Sequence, residues 1–420
     1  MSMTSECEHL QVVWVYYGLQ IHNKTVGKGL TMENKMTFHG TGREFFGIWI
    51  VNIVLSILTF GVYSAWAKVR TKKYFYGNTE LAGDRFDYHA TPKQILIGRL
   101  IAVTAFVIWF LSGHFSPVFS SVLFLLGLAM MPWIARNNAR FNARMTSYRN
   151  VRLNFTGTLM GAYAAILGRG LLLILTIVVF GTFAIAPTSG FITFLFVVGG
   201  LASLLVMFAW MMKGIASYFA NGYGYGKLQF NATLSTGFFV RTYIWAVLIW
   251  ILSSIGVLAF GALFFFVGGQ LVSLSEIRFT DISDLNIGHI TTALGAMSLV
   301  ILMYVMLFVS MLIVTAFIYT RTRNHVFSQV MVGGSGDYRL SSKMNTADYI
   351  LLVITNFFMQ VLTLGLARPW VMVRTTRYIL SVTAVHGDLD ALSVYEDGNG
   401  AKSAVGDEMS QVFDLDIGIN

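Results

Sequence analysis

Six stretches of this chain run without a single acidic residue: 94–111, 117–135, 160–186, 190–212, 242–271 and 291–320. At about 1.5 Å of rise per residue each reaches roughly 27 Å or more, close to the ~30 Å of a bilayer's hydrocarbon core. Backbone groups in lipid must be paired within their own segment, so these stretches predict membrane-spanning helices. Between them the pattern shifts to the alternation of a strand, as in Val151-Arg152-Leu153-Asn154-Phe155. A short motif recurs there: Phe38-His39-Gly40-Thr41, Tyr88-His89-Ala90-Thr91, Phe155-Thr156-Gly157-Thr158, Phe230-Asn231-Ala232-Thr233 and a degenerate Leu340-Ser341-Ser342-Lys343. In each full copy the Thr is placed to cap the next helix. From Tyr88 onward two spans separate one motif from the next, which returns every motif to one face of the membrane. The pattern predicts an all-α polytopic bundle of helical hairpins joined by short cytoplasmic strands, which could assemble into one small sheet.

A longer segment also occurs twice. At an offset of 304 residues Asn52, Gly61, Trp66, Arg70 and Tyr74 meet Asn356, Gly365, Trp370, Arg374 and Tyr378. Both copies are apolar up to the glycine and basic after the tryptophan. A duplicated hairpin at each end implies an architecture whose two ends are equivalent.

Composition excludes a soluble globule. With 55% hydrophobic residues, 12% charged residues and a mean hydropathy of +0.66, the chain has too little polar surface to cover 420 residues. The single cysteine, Cys7, rules out an intrachain disulfide and a multi-cysteine metal site. Residues 1–35 read as an N-terminal extension, with Met32 an alternative start, and 396–420 as an acidic cytoplasmic tail. The membrane domain is 36–395.

Charge sets the expected topology. The connections after Leu111 and Ala186 carry no charge beyond His114, and the one between Val272 and Ile290 is acidic apart from Arg278. These three face outward, and the remaining Lys and Arg lie inside, as the positive-inside rule requires. Trp66, Trp133, Trp210 and Trp370 each precede a basic residue by three or four positions and read as a cytoplasmic aromatic belt. The terminal repeats conflict with simple crossing, because 45–66 has basic clusters on both sides. A bend at Gly61, and another at Gly365, resolves the conflict with re-entrant hairpins over 45–76 and 349–380. Asn52 and Asn356 would then be intramembrane polar groups bonding the turn.

Leu58-Thr59-Phe60-Gly61, Ala65-Trp66-Ala67-Lys68-Val69-Arg70, Gly77-Asn78-Thr79 and the acidic Phe413-Asp414-Leu415-Asp416-Ile417-Gly418 carry a likeness from about Met36 to the C-terminus. The chain resembles the YjgN family of bacterial inner-membrane proteins, which is defined by a domain of unknown function. That resemblance implies an inner-membrane location and supplies no catalytic residue.

Chemistry inside the membrane is sparse. No Asp or Glu falls within the six spans; the nearest, Glu44 and Asp348, suit helix N-termini or partners for Arg70 and Arg374. Arg99, Arg169 and Arg241 lie part-way into three spans, where they either snorkel to headgroups or line a site for an anion or lipid headgroup. His39 and His89 share one motif position with Thr156, Asn231 and Ser341, a polar strand site rather than a metal site. Gly222-Tyr223-Gly224-Tyr225-Gly226-Lys227 lacks the spacing of a phosphate loop and reads as a turn. The tail segment Val412–Ile419 is a candidate to dock on the basic cytoplasmic face. No nucleophile motif, cofactor site or nucleic-acid signal appears. The expectation is a non-enzymatic multi-pass protein whose partners are membrane lipids and a small solute. Its leading role is a pore or carrier for a small anionic or amphiphilic solute, and the alternative is a lipid-binding or scaffolding protein.

Overall fold

The computed structural model describes residues 32–186, 189–276, 287–333 and 338–390. Most of the expected N-terminal extension lies outside the described residues, as do the acidic tail 396–420 and its candidate docking segment. The described elements run five times in the order strand, two helices, strand. The first unit is β1 (Glu33–Phe38), α1 (Gly42–Leu58), α2 (Ser64–Gly77) and β2 (Thr79–Leu81). The second is β3 (Asp84–Tyr88), α3 (Pro92–Phe115), α4 (Pro117–Met145) and β4 (Thr146–Tyr148). In the third, β5 (Val151–Phe155) and β6 (Tyr223–Tyr225) flank α5 (Leu159–Ile185) and α6 (Gly190–Gly222). In the fourth, β7 (Leu228–Ala232) and β8 (Val330–Val332) flank α7 (Thr236–Glu276) and α8 (Ile287–Gln329). The fifth is β9 (Tyr338–Ser342), α9 (Thr346–Leu362), α10 (Arg368–Ser381) and β10 (Thr383–His386).

The strands form a closed antiparallel barrel in which each pairs with its chain neighbours and β10 closes on β1. This corrects the all-α expectation: the strands are the common base from which all five helical hairpins rise. Four of them are three residues long and too short to signal themselves by alternation. Closure pairs Glu33 with His386 and Lys35 with Ala384, at a sequence separation no local pattern reports.

In register across five strand pairs stand Met36 and Leu81, Phe86 and Tyr148, Leu153 and Tyr225, Phe230 and Val332, Leu340 and Val385. All but Val332 join one apolar cluster, which Leu389 completes from the far mouth. The barrel interior is therefore packed with apolar side chains. Two residue pairs nearer the helices come Phe38, Tyr88, Phe155, Ala232 and Ser342, paired with Thr79, Thr146, Tyr223, Val330 and Thr383. This register corrects the motif alignment in the last two units, where Ala232 and Ser342 stand in for Phe38, two residues later than Phe230 and Leu340. The helix starts obey the same shift. Thr41, Thr91 and Thr158 precede the leading helices α1, α3 and α5 of the first three units, whereas α7 of the fourth begins at Thr236 after Ser235 and α9 of the fifth is capped by Asn345.

Six helices, Pro92–Phe115, Pro117–Met145, Leu159–Ile185, Gly190–Gly222, Thr236–Phe264 and Met297–Gln329, are long and apolar enough to cross a membrane, in the six places expected. The helices pack in chain order and α10 closes against α1, giving a ring above the barrel. Contact between them is thin. Leu171, Leu172, Ile174 and Leu175 are each 44–56% exposed, and at 100° per residue they form one broad apolar face of α5, an arc of about 160°. Such a surface is stable only against lipid. The chain is a polytopic membrane protein.

The terminal hairpins are shorter, 17 residues rising and 14 returning in both. Their turns are identical. Gly61 N–H donates to Ser56 O and Gly365 N–H to Gln360 O at 2.7 Å, while Phe60 N–H reaches Ile57 O and Leu364 N–H reaches Val361 O, both at 3.1 Å. These paired bonds are a Schellman motif and use up carbonyls that would otherwise end the helix unpaired. The motif requires positive φ at Phe60 (48°), Gly61 (88°), Leu364 (50°) and Gly365 (86°).

Candidate functional site

Gly61 and Gly365 supply the bends expected of them, but Asn52 and Asn356 do not bond the turns. Each is 5% exposed and bridges the two helices of its hairpin instead. Asn356 Nδ2 donates to Thr375 Oγ1 at 3.0 Å, and its Oδ1 accepts from Arg374 Nη1 at 3.3 Å. Arg374 Nη1 also donates to Thr355 Oγ1 at 2.9 Å, so this hairpin's polar centre is closed.

The first hairpin is arranged differently. Asn52 Nδ2 faces the carbonyl of Ala67 at 3.5 Å, the orientation electrostatics demands, and Asn52 Oδ1 is buried without a donor. Leaving such an acceptor unmet costs about 1–3 kcal/mol. Arg70, the counterpart of Arg374, donates to the hydroxyl of Tyr63 at 3.3 Å. The second hairpin has Ala367 at the position of Tyr63, so its arginine has no phenol to engage and turns to the asparagine.

Asn52 lines a cavity of about 850 Å³ whose walls come from α1, α2, α3, α4 and α10 in succession around the ring. Five consecutive helices can converge only on the concave side, so the cavity faces the ring's interior. Its cations are Lys68, Lys72, Arg99 and Arg368; its neutral polar groups are Asn52, Ser56, Ser64, Thr71 and Asn142. Trp49, Ile53, Ile57 and Met372 give it an apolar flank, and none of the described lining residues is acidic. Lys72 Nζ donates to Asn142 Oδ1 at 2.8 Å, and Arg99 donates to Ser64 Oγ. Four cations line one space whose described walls carry no carboxylate, and such a surface attracts anions. Lys and Arg offer donors only, so acceptors for a ligand must come from the amide and the hydroxyls.

Of the three arginines singled out in the sequence, Arg99 alone lies in this cavity. Arg169 lines a separate groove of about 330 Å³ with Gly157, Thr158 and Tyr218. Its guanidinium sits 4.5 Å from the ring of Trp210 and donates to the Trp210 carbonyl at 3.5 Å. Arg241 is exposed on the flank of α7. The three do not form one site, because their hairpins stand side by side in a wide ring. Lys68, Lys72 and Arg368 were not among the site residues expected from the sequence. Their signal was present in the spacing: Lys68 and Lys72 are four residues apart on one face of α2, as are Asn52 and Ser56 on α1.

The remaining hairpin residues are structural. Trp66 stacks on Tyr63 with ring centres 6.1 Å apart, and Trp370 packs 5.1 Å from Phe46. The indole of Trp370 fills the space a Cβ at Gly42 would take, which fastens the fifth hairpin to the first. Glu44 closes a capping box with Thr41, at 3.4 and 3.3 Å, and accepts from Tyr74 Oη at 3.1 Å, so it complements its helix N-terminus. His39 Nε2 meets Glu80 at 2.9 Å and His89 Nε2 meets Ser147 Oγ at 2.7 Å. Gly226, with φ of 56°, begins the tight turn from β6 to β7, which accounts for the glycine-tyrosine run.

No solved structure matches this chain. Among characterised sequences, the inner membrane protein YjgN of Salmonella typhimurium is 26% identical over 393 residues, covering 89% of this chain and 94% of the relative. YjgN of Escherichia coli K12 is 35% identical over 130 residues, about a third of each chain (31% and 33%). The family described as bacterial protein of unknown function (DUF898) matches residues 33–412. An inner-membrane, multi-pass location follows from these relatives and the six apolar helices, and the chain belongs to the DUF898 family.

Proposed function

We propose that this protein binds an anionic membrane amphiphile, with the headgroup in the cavity between the first two hairpins and the acyl chains along the apolar helix faces. The observation that carries this reading is the convergence of Lys68, Lys72, Arg99 and Arg368 on one space whose described walls hold no acid. Partly desolvated cations attract phosphate or carboxylate strongly. Trp49, Ile53 and Ile57 on the same wall suit the start of a hydrocarbon chain. The pore or carrier reading draws less support, since the barrel interior is packed with apolar side chains and the three arginines stand apart.

The same reading orients the protein. The barrel and the adjoining helix ends hold most of the described Lys and Arg, which favours a cytoplasmic barrel and a cytoplasmic tail. Both ends of α1–α2 and of α9–α10 return to the barrel, and 17 residues rise only about 25 Å, which favours re-entrant hairpins with lipid-buried tips. Their matching lengths and turns favour an internal duplication. The reading assigns no catalytic role and no cofactor.

Native mass spectrometry of protein released from bilayers of equal phosphatidic acid and phosphatidylcholine tests the site. Retained phosphatidic acid should exceed phosphatidylcholine, and Lys72→Ala or Arg99→Ala should each lower that excess about tenfold, the weight of one charge-assisted contact. Equal retention of both lipids by the wild type would overturn the proposal.

A further inference from the structure

Helix α10 has a second working face. Arg368 and Met372 line the cavity described above, whereas Trp370, Arg374, Arg377 and Ser381 line a separate groove of about 700 Å³ that Thr41 and Gly42 complete from α1. At 100° per residue the two sets lie on opposite sides of α10, so a cavity on the ring's interior puts the groove on its lipid side. The groove follows the seam where the fifth hairpin meets the first.

Two cations in it carry no counter-charge. Arg374 and Arg377 are both exposed, and none of the described lining residues is acidic; Asp348, in the first turn of α9, lies outside the lining. Their partners are neutral. Arg374 Nη1 is held by Thr355 and Asn356, and Arg377 Nη2 donates to the Gly40 carbonyl at 2.9 Å. Each guanidinium is thus fixed through one nitrogen and keeps Nε and its other terminal nitrogen as donors. Like charges three residues apart on one helix face repel, and a single anion between them offsets both. The groove is also graded along its length. Arg377 and Arg374 stand about 6 and 10 Å from the barrel end of α10, near the hydroxyls of Thr41 and Ser381, while Trp370 and Met359 line the groove further up.

We infer that this seam holds one anionic phospholipid of the leaflet on the barrel side. Its phosphate oxygens bridge Arg374 and Arg377, and its acyl chain rises along Trp370 and Met359. Because Arg377 also holds Gly40 and Trp370 fills the space beside Gly42, the lipid joins the two hairpins that close the ring. The site shares no residue with the cavity and does not depend on it.

The groove is open to the bilayer, so its lipid exchanges and is tested in place. With Cys7 replaced by Ser, a benzophenone maleimide on Ser381→Cys, in nanodiscs of equal phosphatidylglycerol and phosphatidylcholine, marks the occupant, and mass spectrometry identifies the cross-linked lipid. A label on Gly237→Cys is the reference, because Gly237 lies four residues from the exposed Arg241 just as Ser381 lies four from Arg377. Phosphatidylglycerol should exceed phosphatidylcholine about tenfold at Ser381, the weight of one charge-assisted contact, and far less at Gly237. Arg377→Gln should bring the two lipids level at Ser381. Arg377→Lys, which keeps the charge, should retain most of the preference, and Lys72→Ala all of it. An equal preference at both labels would mean ordinary snorkelling and overturn the site, as would a preference that survives Arg377→Gln. Loss of the preference with Lys72→Ala would move the lipid to the cavity and overturn it too. Excess glycerophosphoglycerol should leave the cross-link intact; displacement by it would make the occupant a soluble anion, and the lipid assignment would fall.

Discussion

The guanidinium of Arg169 occupies the space that a Cβ on Gly214 would need. Trp210, one turn earlier on the same helix, stacks under that guanidinium and accepts from it, so glycine and tryptophan together make a seat for an intramembrane cation. Gly214→Ala should unseat Arg169 and lower stability by about 1–3 kcal/mol, the usual cost of overpacking. In an Arg169→Ala background the same change should cost much less. Thermal melts of both single variants and the double variant in detergent measure the coupling, and additive effects would show that the two residues do not share the space.

The hairpin turns make a second prediction. Nothing stands within 4 Å of a Cβ built on Gly61 or Gly365, so substitution there is opposed by backbone conformation alone. Val at either position should lower the yield of folded protein sharply, whereas Asn, which tolerates positive φ, should lose far less. Equal yields for Val and Asn would mean that the bends are not held at the φ of 88° and 86°.

Phe60 is 99% exposed and Leu364 94% exposed at the tips of these hairpins. With Cys7 replaced, a cysteine at Phe60 should escape a membrane-impermeant maleimide added from either side. One at Phe115, the last residue of α3, should react from the periplasm, and one at Asn78 only after lysis. Reaction of the Phe60 cysteine from the periplasm would show that the hairpin crosses.

The barrel core titrates. Tyr225 Oη donates to the Tyr148 carbonyl at 2.9 Å and Tyr148 Oη donates to the Leu81 carbonyl at 2.8 Å. Burial, with the Tyr148 phenol beside it, pushes the Tyr225 hydroxyl up to about 12 from an ordinary 10. The folded state favours the neutral phenol, so its contribution is complete below pH 10 and is lost as pH rises through about 12. Stability measured from pH 9 to 12 should fall more steeply for wild type than for Tyr225→Phe. The variant should also lose about 1 kcal/mol at neutral pH through the missing hydrogen bond. Parallel curves would mean that the phenol is solvated in the fold.

Much of this protein was fixed locally and could be read from the chain. The six spans follow from apolar run length, and the bends at Gly61 and Gly365 follow from what a glycine after an apolar helix permits. The caps at Thr41, Thr91 and Thr158 follow from one residue's ability to bond the helix it precedes. Tertiary structure decided what depends on distant partners. The barrel exists because Glu33 meets His386 and three-residue strands are stabilised only by neighbours on both sides. The same closure moved the fourth and fifth motifs by two residues, since Ala232 and Ser342, and not Phe230 and Leu340, hold the strand position of Phe38. The cavity likewise needed the ring. Lys68, Arg99 and Arg368 come from three helices, and no spacing along the chain states that they converge. What set Asn52 apart from Asn356 was a residue across the hairpin turn, Tyr63 where the other hairpin has Ala367, and the sequence displays that difference without saying which arginine it redirects.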